Sequence, residues 1–216
     1  MLRAVDVSFA YDSARPVLNR VSIEIGAGEI VGLTGPSGGG KSTLGRILAG
    51  HRQPQRGSVV LDDDGDNASR GRVHPVQYLF QSPETAVDPR WTIEKILTEA
   101  WDPDREMRLD FGLSPHWGRS YPHELSGGEL QRITILRALA PGVRFLVADE
   151  VTAMLDPLTQ AQIWRALIEF ARQRRVGMLV LSHDLDLLER ICDRRLRLCD
   201  GRLAEFADDA GMNPAI

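Results

Sequence analysis

The sequence predicts an α/β fold with a parallel-centred sheet, an antiparallel β part at the N-terminal end and an inserted helical lobe. Three observations carry this. Four short apolar runs, each bounded by polar groups, read as strands buried on both faces. Amphipathic helical patterns alternate with them, the rhythm of a parallel sheet with crossover helices. Two stretches break that rhythm and supply the antiparallel part and the lobe.

Residues 1–30 read as antiparallel strands and hairpins, and so does "GSVVLDDD" over 57–64. The first buried strand is "IVGLT", Ile30 to Thr34, followed by a helical "KSTLGRILAG" that ends on Gly50. "VQYLF", Val76 to Phe80, is the second. Residues 82–124, with Trp91, Trp101 and Trp117, are irregular and helical and form the lobe. In "LQRITILRALA", Leu130, Ile133, Leu136 and Leu139 make a helical stripe closed by Pro141. "FLVA", Phe145 to Ala148, is the third strand. "PLTQAQIWRALIEFARQRR" is an amphipathic helix with Pro157 in its first turn. "MLVLS", Met178 to Ser182, is the fourth strand, and "LDLLERIC" a last short helix. One domain over 1–216 results. Its core is 1–81 and 142–216, and the lobe at about 82–124 leads into a helix that runs to 140. "DDDGDNASRGR" reads as a solvated hairpin tip, with metal binding as the weaker alternative. The last residues after Gly201 are expected to fray.

At 216 residues and 43% hydrophobic content, the chain buries a core without covalent staples. The formal charge of -4 gives no support for a nucleic-acid partner. Cys192 and Cys199 form no CxxC and read as small buried hydrophobes in a reducing compartment. The N-terminus lacks the apolar segment of a signal peptide, and no run approaches the roughly 18 apolar residues of a membrane span. A membrane role therefore requires a partner, met from the cytoplasmic side.

In an open α/β sheet, ligands gather at the carboxyl ends of the strands. The four strands end in Gly35, Gln81, Asp149-Glu150 and His183, four polar devices for one shared site. "GPSGGGKST" comprises Gly35, Pro36, Ser37, Gly38, Gly39, Gly40, Lys41, Ser42 and Thr43. It matches GxxxxGK[ST] between a strand and a helix. Such a loop wraps backbone N–H groups around ATP phosphates. Lys41 supplies positive charge and the Ser42 hydroxyl a ligand for Mg²⁺, which makes the core that of a P-loop NTPase. Asp149 is placed to hold Mg²⁺, and Glu150 to orient or deprotonate an attacking water. His183 is either a structural histidine or a sensor of charge at the γ-phosphate. Gln81 is either a surface glutamine or a contact to Mg²⁺ or water. Tyr11 is an ordinary strand aromatic or a stacking platform for adenine. The three lobe tryptophans are either interface anchors or the lobe's own core. "HELSGGELQR", His123 to Arg132, is a second helix start dressed for an anion, at Ser126, Gly127 and Gly128.

The phosphate loop, Gln81, "LSGGE", "FLVADE", Leu155-Asp156 and His183 occur in the order found in ATP-binding-cassette (ABC) ATPases, which the chain resembles over nearly its whole length. The resemblance implies a head-to-tail dimer with two ATP molecules between the copies. Ser126, Gly127 and Gly128 of one copy then complete the other copy's phosphate-loop site. It makes Glu150 the catalytic carboxylate and His183 a switch. Asp156 falls in a loop that communicates across the interface, Gln81 in the coupling to transmembrane permease subunits, and Tyr11 in the adenine position. "SPETAVDPRWTIEKIL", "YPHELSGGE" and "LTQAQI" resemble the branch that energises peptide and nickel uptake. Ser82, Val151 and Met154 depart from that branch's wording without removing a group that touches ATP.

The leading expectation is thus the ATPase subunit of an importer, peripheral on the cytoplasmic face of the inner membrane. It would work with permease subunits and, through them, with a substrate-binding protein. The alternative is a non-transport ABC ATPase of DNA repair or translation. A metabolic P-loop kinase would have no use for "LSGGE".

Overall fold

The computed structural model describes residues 1–12, 15–62 and 73–206. Most of the "DDDGDNASRGR" stretch and the ten C-terminal residues lie outside them, so the expectations placed there have no structural counterpart.

Strands β1 (Leu2–Asp12), β2 (Arg15–Ile25), β3 (Ile30–Thr34) and helix α1 (Lys41–Leu48) open the chain, followed by β4 (Arg56–Leu61) and β5 (Val76–Leu79). The lobe carries α2 (Ile93–Leu97), α3 (Arg105–Asp110) and short 3₁₀ turns, and leads into α4 (Gly127–Ala138). Then come β6 (Phe145–Asp149), α5 (Pro157–Arg174), β7 (Gly177–Leu181), α6 (Leu185–Ile191), β8 (Arg194–Cys199) and β9 (Arg202–Glu205). Among these, β2-β1-β4 form an antiparallel sheet, and β5-β6-β7-β3-β8-β9 form the main sheet. The main sheet is parallel except for β9, which pairs antiparallel with β8.

Alternation across the main sheet explains its continuous apolar strands. Phe145 and Val147 of β6, Leu179 and Leu181 of β7, and Val31 and Leu33 of β3 pack with α1 and the antiparallel sheet. Leu146, Ala148, Met178, Val180 and Ile30 point the other way, into the core built with α4, α5 and the lobe. Both faces are covered, so neither face can be polar.

Helix ends follow their local chemistry. Asp156 caps α5, its carboxylate accepting from the backbone N–H of Leu158 at 3.1 Å and Thr159 at 3.0 Å, with Pro157 next. Ser126 caps α4 in a reciprocal box with Glu129.

Some expectations are corrected. Strands β8 and β9 had no counterpart in the sequence reading. Four arginines, Arg194, Arg195, Arg197 and Arg202, mask a strand pair that buries Leu196 and Leu198 in the core and packs Leu203 partly buried against it. Cys199 is exposed rather than buried, because it closes β8 at the turn into β9. Cys192 is half-buried, and burial pushes its thiol up to about 12, which leaves it inert. The lobe tryptophans pack as partly buried members of the larger core. Trp101 Nε1 donates to Arg137 O of α4 at 3.1 Å, and Lys95 Nζ lies 3.9 Å from the Trp91 ring centre.

Candidate nucleotide site

Strand order brings the predicted residues together. β3, β7 and β6 are adjacent and parallel, so their carboxyl ends align. Ser182 N donates to Leu33 O at 3.2 Å, and Glu150 N to Leu181 O at 3.0 Å, which locks the three strand exits side by side.

After β3, Gly35 turns with φ 150°, and a Cβ there would meet Leu198 O at 2.2 Å. Gly40 turns with φ 97°, and its Cβ would meet Val17 Cγ1 at 2.9 Å. Only glycine serves at either position, on grounds of conformation and space. Lys41 is buried, and its Nζ donates to Gly35 O at 2.8 Å and Pro36 O at 3.1 Å, bridging the loop it follows. Helix α1 has no side-chain cap and no acidic residue in its first turn. Its N-terminal N–H groups and dipole are thus open to an anion. Pro36, Ser37 and Gly38 are exposed, as the loop's crest. Tyr11 is 59% exposed, and its hydroxyl lies 3.1 Å from Thr43 Oγ1, which ties an open aromatic ring to the start of α1. Phe9 meets that ring edge-on and the Arg52 guanidinium stands 4.9 Å from its centre.

The acidic exit of β6 is built differently for its two carboxylates. Asp149 is buried and accepts a hydrogen bond from the Tyr78 hydroxyl. Burial, and then the Asp149 charge, push the Tyr78 phenol well above its ordinary range, so it remains a donor. Glu150 turns the chain with φ 48°, a left-handed conformation that costs a non-glycine residue about 1 kcal/mol or more. That turn aims its carboxylate between two other predicted residues. His183 Nδ1 lies 3.1 Å from Oε1, and Gln81 Nε2 donates to Oε2 at 3.2 Å. Gln81, Glu150 and His183 therefore form one cluster, half-open to solvent.

The donor set fits Mg²⁺. Among the described residues, no three His, Cys, Asp or Glu side chains group as a metal cage. One buried carboxylate, Asp149, with the Ser42 hydroxyl and the Gln81 amide, suits an ion that takes most of its ligands from phosphate and water.

Ser126, Gly127 and Gly128 occupy another place. Ser126 and Gly127 are exposed, and Ser126 Oγ donates to Glu129 Oε2 at 2.7 Å. That contact, with the backbone N–H of Ser126 as the larger cause, holds the Glu129 carboxyl below its usual range. Among the described residues no hydrogen bond joins these three to the phosphate loop of the same chain. Asp156 is exposed, and its carboxyl is likewise held low by Thr159, the hydroxyl first and then the backbone N–H.

Two residues that contact the site were not anticipated from the sequence. Tyr78 sits in a strand that reads as merely apolar. Gln131 of α4 is buried and its Nε2 donates to Phe80 O at 3.1 Å, one residue before Gln81. Gln131 lies off the Leu130–Ile133–Leu136 stripe, so the helical pattern carried no signal for it.

The described residues contain no helix long and apolar enough to cross a membrane. The nickel import ATP-binding protein NikE of Rhodospirillum rubrum is 37% identical over 215 residues, covering 92% of this chain and 78% of that protein. The metal-staphylopine import system ATP-binding protein CntF of Staphylococcus aureus is 30% identical over 224 residues, covering 95% and 90%. A solved dimeric post-hydrolysis state of the ATP-binding cassette MJ0796, bound to ADP and Pi, superimposes with a TM-score of 0.79 at 26% identity, covering 96% of this chain and 99% of that one. The model of the ABC transporter family matches residues 18–153. With the glycine-rich loop, the acidic strand exit and His183 meeting at the carboxyl ends of adjacent strands, the chain belongs to the ABC transporter family as one of its ATP-binding cassettes.

Proposed function

We propose that this cassette is the ATP-hydrolysing subunit of an importer for peptides or for nickel and other metal complexes. The observation that carries its chemistry is the Glu150 carboxylate bracketed by Gln81 and His183 at the exit of the acidic strand. Similarity to nickel, peptide and metal-staphylopine import subunits supports the cargo class, and favours transport over the repair and translation alternatives.

In this reading the backbone N–H groups of Gly38, Gly39 and Gly40 and the Lys41 ammonium bind the β- and γ-phosphates. Lys41 leaves its loop carbonyls for phosphate oxygens. Tyr11 stacks on the adenine. Ser42, Asp149 and Gln81 hold Mg²⁺, which neutralises phosphate charge when bound. Glu150 accepts the proton of a water that attacks the γ-phosphorus. The bond to the bridging oxygen breaks and ADP leaves. His183 orients the Glu150 carboxylate and faces the developing charge. The site is completed in a head-to-tail dimer, with itself or a related cassette. There Ser126, Gly127 and Gly128 face the γ-phosphate bound by the other copy, and Asp156 lies in the loop between the two sites. The lobe at 82–124 meets the permease on the cytoplasmic face of the inner membrane, and the substrate-binding protein acts through that permease.

The test is reconstitution. The cassette and its permease in vesicles should hydrolyse ATP faster when the cognate binding protein arrives loaded with Ni²⁺ or peptide. Stimulation by neither ligand would overturn the cargo assignment.

A further inference from the structure

Tyr78 has no part in the reaction as described, yet it touches the carboxylate assigned to magnesium. On β5 it stands opposite Val147 of β6 in parallel register. Val147 and Asp149 share one face of β6, so Asp149 is one pleat further toward the site. A phenol is long enough to close that step, and its hydroxyl donates to Asp149 Oδ2. Among the described residues it is the one side-chain donor to this buried carboxylate.

The ring is held from several sides. Phe80 meets it edge-on at 4.9 Å between ring centres, and the His51 ring lies tilted against it at 5.6 Å. On the α1 side, a Cβ at Gly45 would come within 3.2 Å of Tyr78 Cε2, so the helix that begins at Lys41 lies against the ring. A ring fixed this way carries its hydroxyl at a defined point. Filling the space requires only an aromatic hydrocarbon; the hydroxyl adds a polar group that must be satisfied, and Asp149 satisfies it.

We propose that Tyr78 is a positioning residue for magnesium, its hydroxyl engaging one oxygen of Asp149 and fixing the rotamer in which the other serves the metal or its water. A carboxylate χ2 is otherwise a broad, nearly free torsion. Outer partners of metal ligands set ligand orientation, and losing one weakens metal binding about 10–100-fold. The proposal rests on the assignment of Asp149 to Mg²⁺ made above.

The experiment uses the full chain with Tyr78→Phe and a fluorescent ATP analogue, titrated in EDTA and then with rising Mg²⁺. Mn²⁺ with ATP serves as a paramagnetic stand-in, read by electron paramagnetic resonance. The expected result is nucleotide affinity in EDTA within about twofold of wild type, because that affinity rests on the phosphate loop. The Mg²⁺ needed for half-saturation should rise about tenfold, and Mn²⁺ affinity should fall alike. An unchanged metal requirement overturns the proposal. So does an equal loss with and without metal, which would mark the ring as packing only. Tyr78→Met, apolar and of different shape, takes the place of the phenylalanine variant if the latter does not fold. Asp149→Asn separates the two levels. If it leaves the Mg²⁺ requirement unchanged, the assignment of Asp149 falls and takes the proposal with it. If it raises the requirement while Tyr78→Phe does not, only the proposal falls.

Discussion

Glu150→Gln isolates one atom's worth of chemistry. The amide keeps the volume and planarity of the carboxylate, can still bond His183 and Gln81, and removes the negative charge that accepts a proton. Its stability cost is small. The Glu150–His183 pair spans 3.1 Å, but the histidine side chain is 68% exposed, and such pairs contribute about 1 kcal/mol or less. The catalytic cost is large. A positioned general base contributes about 100- to 10,000-fold, or about 3–5 kcal/mol of barrier. Nucleotide affinity should stay near wild type, because the loop over Gly35–Thr43 is untouched. Phosphate release at saturating Mg²⁺ and ATP measures the rate, and thermal unfolding checks the fold. Light scattering with ATP present should show a dimer that accumulates because it no longer turns over. A loss of less than tenfold in a folded variant would refute the role given to Glu150.

Ser126→Arg should leave the monomer's ATP affinity near wild type and abolish dimer-dependent hydrolysis; weaker monomer binding would mean that Ser126 serves its own chain's nucleotide. Glu129 is a carboxylate whose folded value lies below the ordinary 4.5 through its bonds to Ser126, so its contribution is full above about pH 4.5 and lost as pH falls through the lower folded value. The stability gap between wild type and Glu129→Gln, read by urea unfolding, should therefore narrow below pH 4.5; a gap that widens there contradicts the capping-box account. Trp101→Ala removes a half-buried indole and its bond to Arg137 O, and should cost about 2–4 kcal/mol in urea unfolding. Unchanged stability with lost permease coupling would instead make Trp101 a docking anchor.

Much of the fold was legible because both faces of the main sheet are covered. β3 matches its expected span, and β6 and β7 lie within one residue of theirs, since a strand buried on both sides has no polar position to blur it. β8 and β9 were not legible. A strand near the sheet edge needs only Leu196 and Leu198, and its arginines read as solvated surface. Gln81, Glu150 and His183 were legible one by one as strand exits. Their convergence on one carboxylate depends on strand order, which no local pattern encodes. Tyr78 illustrates the same limit. Its role follows from the register Tyr78–Val147, a pairing between segments separated by the whole lobe.

Helix α4 links the exposed helix start at Ser126 to Gln81, which lies far from it in the sequence. Its first turn presents Ser126 and Gly127 on the surface, capped by Glu129. One turn on, Gln131 reaches from the same helix to Phe80 O, and the next residue in that strand exit is Gln81, bonded to Glu150. Near its end, Arg137 O accepts from Trp101 of the lobe. A helix is stiff over this length, so Ser126, the mouth of the Gln81 loop and the lobe are held as one piece. A nucleotide that drew Ser126 of one copy toward it would carry the lobe along and strain the Gln81–Glu150 contact. Breaking the middle link with Gln131→Ala leaves a partly buried carbonyl at Phe80 short of a donor, but leaves Ser126, Gln81 and Glu150 chemically intact. Under the proposed function, the coupling between lobe position and hydrolysis would then be set by packing around α4, and the chemistry by the strand exits.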